Sequence, residues 1–342
     1  MFCEDLEVTL TRSSTGIPEG SGPRPRPGVG RAVAVLVLVA AAACVPLLGP
    51  SAALHGTGEA AAPGTAGIGL LRTVLFAALC VPLGELFVRR LVRSVPGTPP
   101  ALPRSWAPYA AAVGFVAALG LASVVSTGNL VPHSPADLDV GGLYATRDGK
   151  LALLEVNAFV VAGLCAVSGR PGTQVWPLGA LVVAEALRAH PTTEYDPLLG
   201  SALTLVHLTC ASLWVGGLLY VLRTLRGRRA GEAGAALLGL YARVAAALLV
   251  ALTATGVCSS LRRMPAETIL TQLTETAYGR ALLAKVILMV VVAGLALWAR
   301  IRLRRAADPL TACTPARAEV VALAGVVALS GLLTALPVPI RW

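Results

Sequence analysis

Residues 203–222 read LTLVHLTCASLWVGGLLYVL, a run apolar enough for a membrane helix that carries His207 and, one turn later, Cys210. Residues three and four apart share a helix face, so His207, Cys210, Ala211 and Trp214 form one stripe. Imidazole and thiolate suit copper, zinc or haem iron, and thiolate favours Cu(I). Burying an imidazole in hydrocarbon is costly, which points to a site rather than to filler. The competing reading is a histidine hydrogen-bonded to a neighbouring helix, with Cys210 as packing.

A second histidine closes the preceding apolar segment, VVAEALRAHP. Glu185 and His190 are five apart there, so they diverge around the helix and need not share a ligand. The short loop 191–198 makes a hairpin of the two segments and brings His190 toward His207. Glu155, Glu185 and Lys285 also lie in apolar segments at similar depth, where carboxylates and an ammonium are expected to neutralise one another. Lys285 has the alternative of snorkelling outward. Glu85 and Arg89 read as a structural i, i+4 pair. The loop 128–150 holds His133, Asp137, Asp139 and Asp148, which with His55 could capture a cation at the surface; the plainer reading is a solvated loop. No phosphate-cradling G-x-x-x-x-G-K-[ST] motif and no Ser-His-Asp arrangement occurs, so no enzyme is expected.

The elements that position these residues are membrane helices. Of 342 residues, 56% are hydrophobic and 13% charged, about half the charged share of a soluble protein. The expected fold is an all-α polytopic bundle. Apolar stretches near the length that crosses hydrocarbon fall at 32–50, 68–88, 107–127, 151–168, 175–189, 199–222, 237–260, 278–299 and 318–336. That is about nine spans, or eight if the first is a cleaved signal. Arg24, Arg26 and Arg31 before a run ending GPSAALHG resemble a signal peptide, but the run is longer than a usual signal core, which favours a retained anchor. The organisation expected is a disordered cytoplasmic tail at 1–30, N-terminal membrane helices at 31–175, a helical core at 176–305, and a linker with the last span at 306–342.

The net charge is +10. Its basic residues stand in short clusters between apolar segments without interleaved aromatics, as anchors to anionic lipid rather than to nucleic acid. Most of the 28 Lys and Arg fall on one side of the expected spans, including Arg89, Arg223, Arg243, Arg300 and Arg302. This orients a multi-pass protein of the cytoplasmic membrane with its N-terminus in the cytoplasm. All four histidines then lie outside or in the outer half. The seven cysteines contain no C-x-x-C pair and give no disulfide framework.

Ala189-His190, HLTCASLWVGGLL (207–219), LTATGV (252–257) and TAYGRALLAK (276–285) together resemble the copper resistance D family of membrane proteins. The resemblance covers roughly 180–305. It implies a multi-helix protein of copper homeostasis and copper resistance that moves copper ions across the cytoplasmic membrane, often in uptake. The family-like positions are His190, His207, Trp214, Tyr278, Arg280 and Lys285. His207 and His190, with Cys210, are the metal-ligand candidates, supported by Trp214, Glu185, Glu155, Tyr278, Arg280 and Lys285. A separate extracytoplasmic copper-binding protein is an implied partner. Three methionines, Met1, Met264 and Met289, exclude a methionine ladder for Cu(I). The alternative is a redox protein holding haem b between His190 and His207 on adjacent helices.

Overall fold

The computed structural model describes residues 29–60, 62–95, 102–128, 130–132, 134–192, 194, 196–225, 231–305 and 313–337. Among the described residues there are eleven α-helices, two short 3-10 turns and no strand. The helices are α1 (Val29–Leu54), α2 (Thr65–Val92), α3 (Ala107–Ser126), α4 (Val140–Ala145), α5 (Arg147–Val167), α6 (Val175–Arg188), α7 (Pro197–Leu225), α8 (Gly231–Arg263), α9 (Ile269–Glu275), α10 (Ala277–Arg305) and α11 (Cys313–Leu333). Eight of them, α1, α2, α3, α5, α7, α8, α10 and α11, are long and apolar enough to cross a membrane. The fold is the polytopic all-α bundle that the composition requires.

The segment expected as a fifth span departs from the others. α6 has 14 residues and a length of about 21 Å, short of the roughly 30 Å hydrocarbon layer. A 3-10 turn at Pro171–Gln174 precedes it and extends it toward the far side. It runs antiparallel to α5, since Arg147 at the start of α5 donates through Nη2 to the Leu187 carbonyl near the end of α6, at 2.9 Å.

α2 sits at the centre and belongs to two packed regions. On one side Leu75 and Leu79 meet Ala118 of α3, Phe159 of α5 and Leu178 and Leu181 of α6. On the other, Val88 and Val92 meet Trp214 and Val221 of α7, Tyr241 of α8 and Leu323 of α11. The crossing of α2 and α7 joins the regions through glycines. A Cβ on Gly84 would lie 2.0 Å from the Gly216 carbonyl carbon, and one on Gly216 would lie 1.8 Å from the Cys80 carbonyl oxygen. Close backbone approach through small residues is how helices associate where lipid offers no hydrophobic drive. α8 and α10 lie at the rim, with Val250, Val286, Val290 and Leu297 exposed.

Polar contacts at the helix ends define two faces. On the face of His190, Glu59 Oε2 accepts from the Ala277 N–H, 3.0 Å away, at the start of α10, where a carboxylate complements the helix dipole. Arg280 Nη1 donates to the His55 carbonyl at 2.5 Å, and Arg263 Nη1 to the Tyr278 hydroxyl at 3.0 Å. On the opposite face Glu85 accepts from the Ser105 hydroxyl at 2.5 Å and the Trp106 N–H at 2.7 Å. Its ion-pair partner is Arg223, at 3.3 Å, and Arg89 donates instead to the Tyr220 hydroxyl. The expected Glu85–Arg89 pair is therefore not the one formed; the start of α3 turns the carboxylate away from its own helix.

Candidate functional site

Two polar clusters lie within the half of the bundle nearest the His190 face. The first joins α2, α5 and α6. Arg72 Nη1 donates to both oxygens of Glu185, at 2.8 and 2.6 Å. Arg188 Nη2 lies 3.1 Å from Glu185 Oε1 and 3.1 Å from Glu155 Oε2. Glu155 is fully buried and Glu185 is 4% exposed. Two guanidiniums thus neutralise two carboxylates in a place where each alone would be expensive. The expectation that Lys285 serves Glu155 and Glu185 is corrected: Arg72 and Arg188 hold that place. Arg72 stands about two turns inside α2 rather than at its outer edge, and Lys285 lies on α10, across the bundle.

The second cluster joins α7, α8 and α10 around His207. Ring Nδ1 lies 2.9 Å from the Thr255 hydroxyl of α8. That hydroxyl is also 2.8 Å from the Ala251 carbonyl, which can only accept, so its one proton goes there and the ring donates its Nδ1–H. Nε2 then carries the lone pair; no side chain among the described residues bonds it, and the Leu252 carbonyl of α8 is a second hydrogen-bonding contact of the ring. A ring fixed by one nitrogen with the other open is the arrangement of a metal-ligating histidine. Gly256 lies against the ring: a Cβ there would meet Cε1 at 3.8 Å, an ordinary contact. Lys285 brings a positive charge near the ring. Cys210, one turn along α7, is a free thiol packed against the apolar core.

His190 is held differently. Nδ1 lies 2.6 Å from Glu194 Oε2 and Nε2 lies 2.9 Å from the Thr204 hydroxyl. Thr204 is one turn before His207 on α7, so the hairpin does bring the two histidines close. Both ring nitrogens of His190 are already used, however, and the ring packs where a side chain on Gly200 would be, 2.5 Å from Nδ1. Burial lowers its pKa from 6.5, against the pull of Glu194, and favours the neutral ring. A haem bridging His190 and His207 would require His190 to give up one of these bonds.

The remaining expected positions divide. Trp214 is buried two turns from His207, where Nε1 donates to Glu319 Oε1 of α11 at 2.9 Å, and the Tyr241 hydroxyl donates to its carbonyl at 2.5 Å. Tyr278 and Arg280 tie loops together on the His190 face. Asp139 caps α4 through the Gly142 N–H, 2.9 Å away, and Asp137 accepts from the Ser134 N–H at 2.9 Å. Both aspartates are thus occupied in turns. The side chain of His55 is exposed, and His133 lies outside the described residues. No group of three or more His, Cys, Asp or Glu side chains is arranged to hold a metal ion among the described residues.

Sequence reading missed Thr255, Glu319 and the pairing of Arg72 and Arg188. Thr255 stands inside LTATGV, one of the motifs that carry the family resemblance, but was not counted among the site residues. Arg72 interrupts GIGLLRTVLF, where a charge in a span calls for a partner.

The helices that close the second cluster, α8 and α10, fall within a recognised segment. Residues 235–333 match the family model for copper resistance protein D. This copper resistance D segment spans most of α8, then α9, α10 and α11, and so includes Thr255 and Lys285. His190 and His207 precede it. The match, with eight potential membrane helices, ties the chain to a copper-related role at a membrane. No curated protein and no solved structure matches the chain.

Proposed function

We propose that this protein serves copper homeostasis by moving copper ions across the cytoplasmic membrane, in the direction of uptake, with His207 as a ligand for the passing ion. The orientation that goes with this reading has the N-terminus in the cytoplasm and the His190 face outside. One observation supports it most: the Thr255 hydroxyl fixes the His207 ring and leaves Nε2 without a side-chain partner among the described residues, at the place where α7 meets the copper resistance D segment.

Chemically, neutral imidazole is a good ligand for copper, and Cys210 is the nearest thiol on the same helix face. His190 organises the approach by holding the α6–α7 loop against Thr204. Lys285 opposes any cation that binds next to His207, so loading requires its flexible stem to carry the ammonium away toward the surface. A ligand set this sparse suits a cargo that must leave again.

The test is cellular. In cells making equal amounts of protein, His207→Ala is expected to lower copper accumulation to the level of cells without the protein. Thr255→Val is expected to lower it partially, because the ring loses its orientation. Full accumulation in His207→Ala at equal abundance would remove His207 from the pathway.

A further inference from the structure

Two cavities lie end to end along the seam between α8 and α10. The deeper, of about 240 Å³, is walled by alanines of the two helices, among them Ala246 and Ala293, and by larger side chains that include Leu249 and Tyr241. Glu319 and Trp214 close its inner wall by their mutual hydrogen bond. The shallower, of about 450 Å³, is bordered by Ser94 and Val95, just past the end of α2, and by Gly239 and Arg243 of α8. Ala242, Arg300 and Leu303 line both. The cavities are therefore one trough, largely apolar at depth, where the Glu319 carboxylate faces Arg300, and basic at its mouth.

The geometry restricts what fills it. Among the described residues no side chain fills the gap between α8 and α10, and an empty apolar gap loses its dispersion contacts. Because both helices lie at the rim of the bundle, hydrocarbon chains have access from the bilayer. At the mouth Arg300 reaches across the seam to the Ala242 carbonyl. Arg243 is exposed and has no partner among the described residues. The turn ending α2 places this mouth at the level of the membrane surface, where headgroups stand. Two guanidiniums there repel a cation and offer a phosphate paired donors. A freely soluble anion would leave the alanine trough unfilled.

We infer that the α8–α10 seam is a binding groove for an anionic phospholipid, with its phosphate between Arg243 and Arg300 and an acyl chain along the alanines. Basic recesses between membrane helices recognise anionic headgroups by this combination of charge and apolar depth. The groove is independent of the His207 reading, and its loss would leave that reading untouched.

Lipid retention by the purified full-length protein, measured by native mass spectrometry with phosphatidylglycerol and phosphatidylcholine, tests this. Wild type is expected to hold phosphatidylglycerol in preference to phosphatidylcholine. Arg243→Gln, at an exposed position, is expected to weaken phosphatidylglycerol retention about fivefold, and R243Q/R300Q about thirtyfold. Ala293→Phe, which leaves both arginines in place and plugs the trough, is expected to weaken it as well. Arg170→Gln, in the connection between α5 and α6, is expected to change nothing. Undiminished retention in Arg243→Gln or in Ala293→Phe would overturn the groove, and so would full displacement of the lipid by inorganic phosphate alone.

Discussion

The two polar clusters share a depth in the bundle but are built on opposite plans. In the α2–α5–α6 cluster four charges balance, and Glu185 alone receives three close contacts. In the α7–α8–α10 cluster one neutral ring has one side-chain partner and an open nitrogen. A buried network of opposite charges holds helices in register, because removing one member leaves a partner charge uncompensated. An undersupplied ring leaves part of its burial cost unmet, which a ligand would offset. The contrast separates a network that positions helices from the site proposed to exchange a cargo, although both look like intramembrane ionisable residues from the sequence.

The difference is most exposed by breaking the charged cluster. Glu185→Ala is expected to destabilise the protein by about 3–5 kcal/mol by leaving Arg72 without its carboxylate and Arg188 with Glu155 alone, seen as a large fall in the thermal midpoint in detergent. Removing Arg72 together with Glu185 in favour of leucines is expected to restore most of it. A small effect of the single change would mean that water already reaches these charges.

Next in size is the crossing that keeps the clusters in register. Gly216→Val forces α7 away from the Cys80 carbonyl and is expected to cost about 1–3 kcal/mol. It is also expected to reduce copper accumulation per folded molecule, since α7 carries His207. A variant as stable as wild type would show that the crossing can spread.

At the uncharged cluster the sign of the contrast reverses. Thr255→Val is expected to cost only about 1 kcal/mol, the worth of one hydrogen bond, yet to alter copper handling more than Glu185→Gln does per folded molecule. Equal functional losses at the two clusters would erase the distinction drawn between them.

The smallest effect concerns pH at His190. Its folded pKa is depressed below 6.5 by burial, so the folded state binds fewer protons than the unfolded one. The stability it supplies is complete above about pH 6.5 and declines as the pH falls below that value toward the folded pKa. Hydrogen-exchange protection factors in residues 189–200 are expected to fall over that interval, and His190→Asn is expected to remove this pH dependence of the protection factors.

Much of the fold was legible, because hydrocarbon imposes a length and a composition on each crossing and both are written in the residues. The short α6 was harder to read: the apolar count of 175–189 cannot tell a full crossing from a helix completed by a 3-10 turn. His207 was legible because an imidazole in an apolar run is conspicuous. Its partner was not, since a threonine hydroxyl in a span bonds its own helix as readily as a neighbouring ring. The ion pairs were misassigned for a similar reason. Depth along the membrane can be counted from sequence, but the neighbour at equal depth depends on how helices are arranged around α2. Lys285 and Arg72 lie at comparable depths, and only the packing puts Arg72 beside Glu185.

The central claim is that His207 Nε2 is an open ligand for a copper ion. Titrating Cu(I) into purified wild type and His207→Ala, with the tertiary fold of both verified by thermal midpoint, tests it most directly. The account predicts a saturable site in wild type that His207→Ala loses and that Glu185→Gln keeps. Equal binding by wild type and His207→Ala would contradict it.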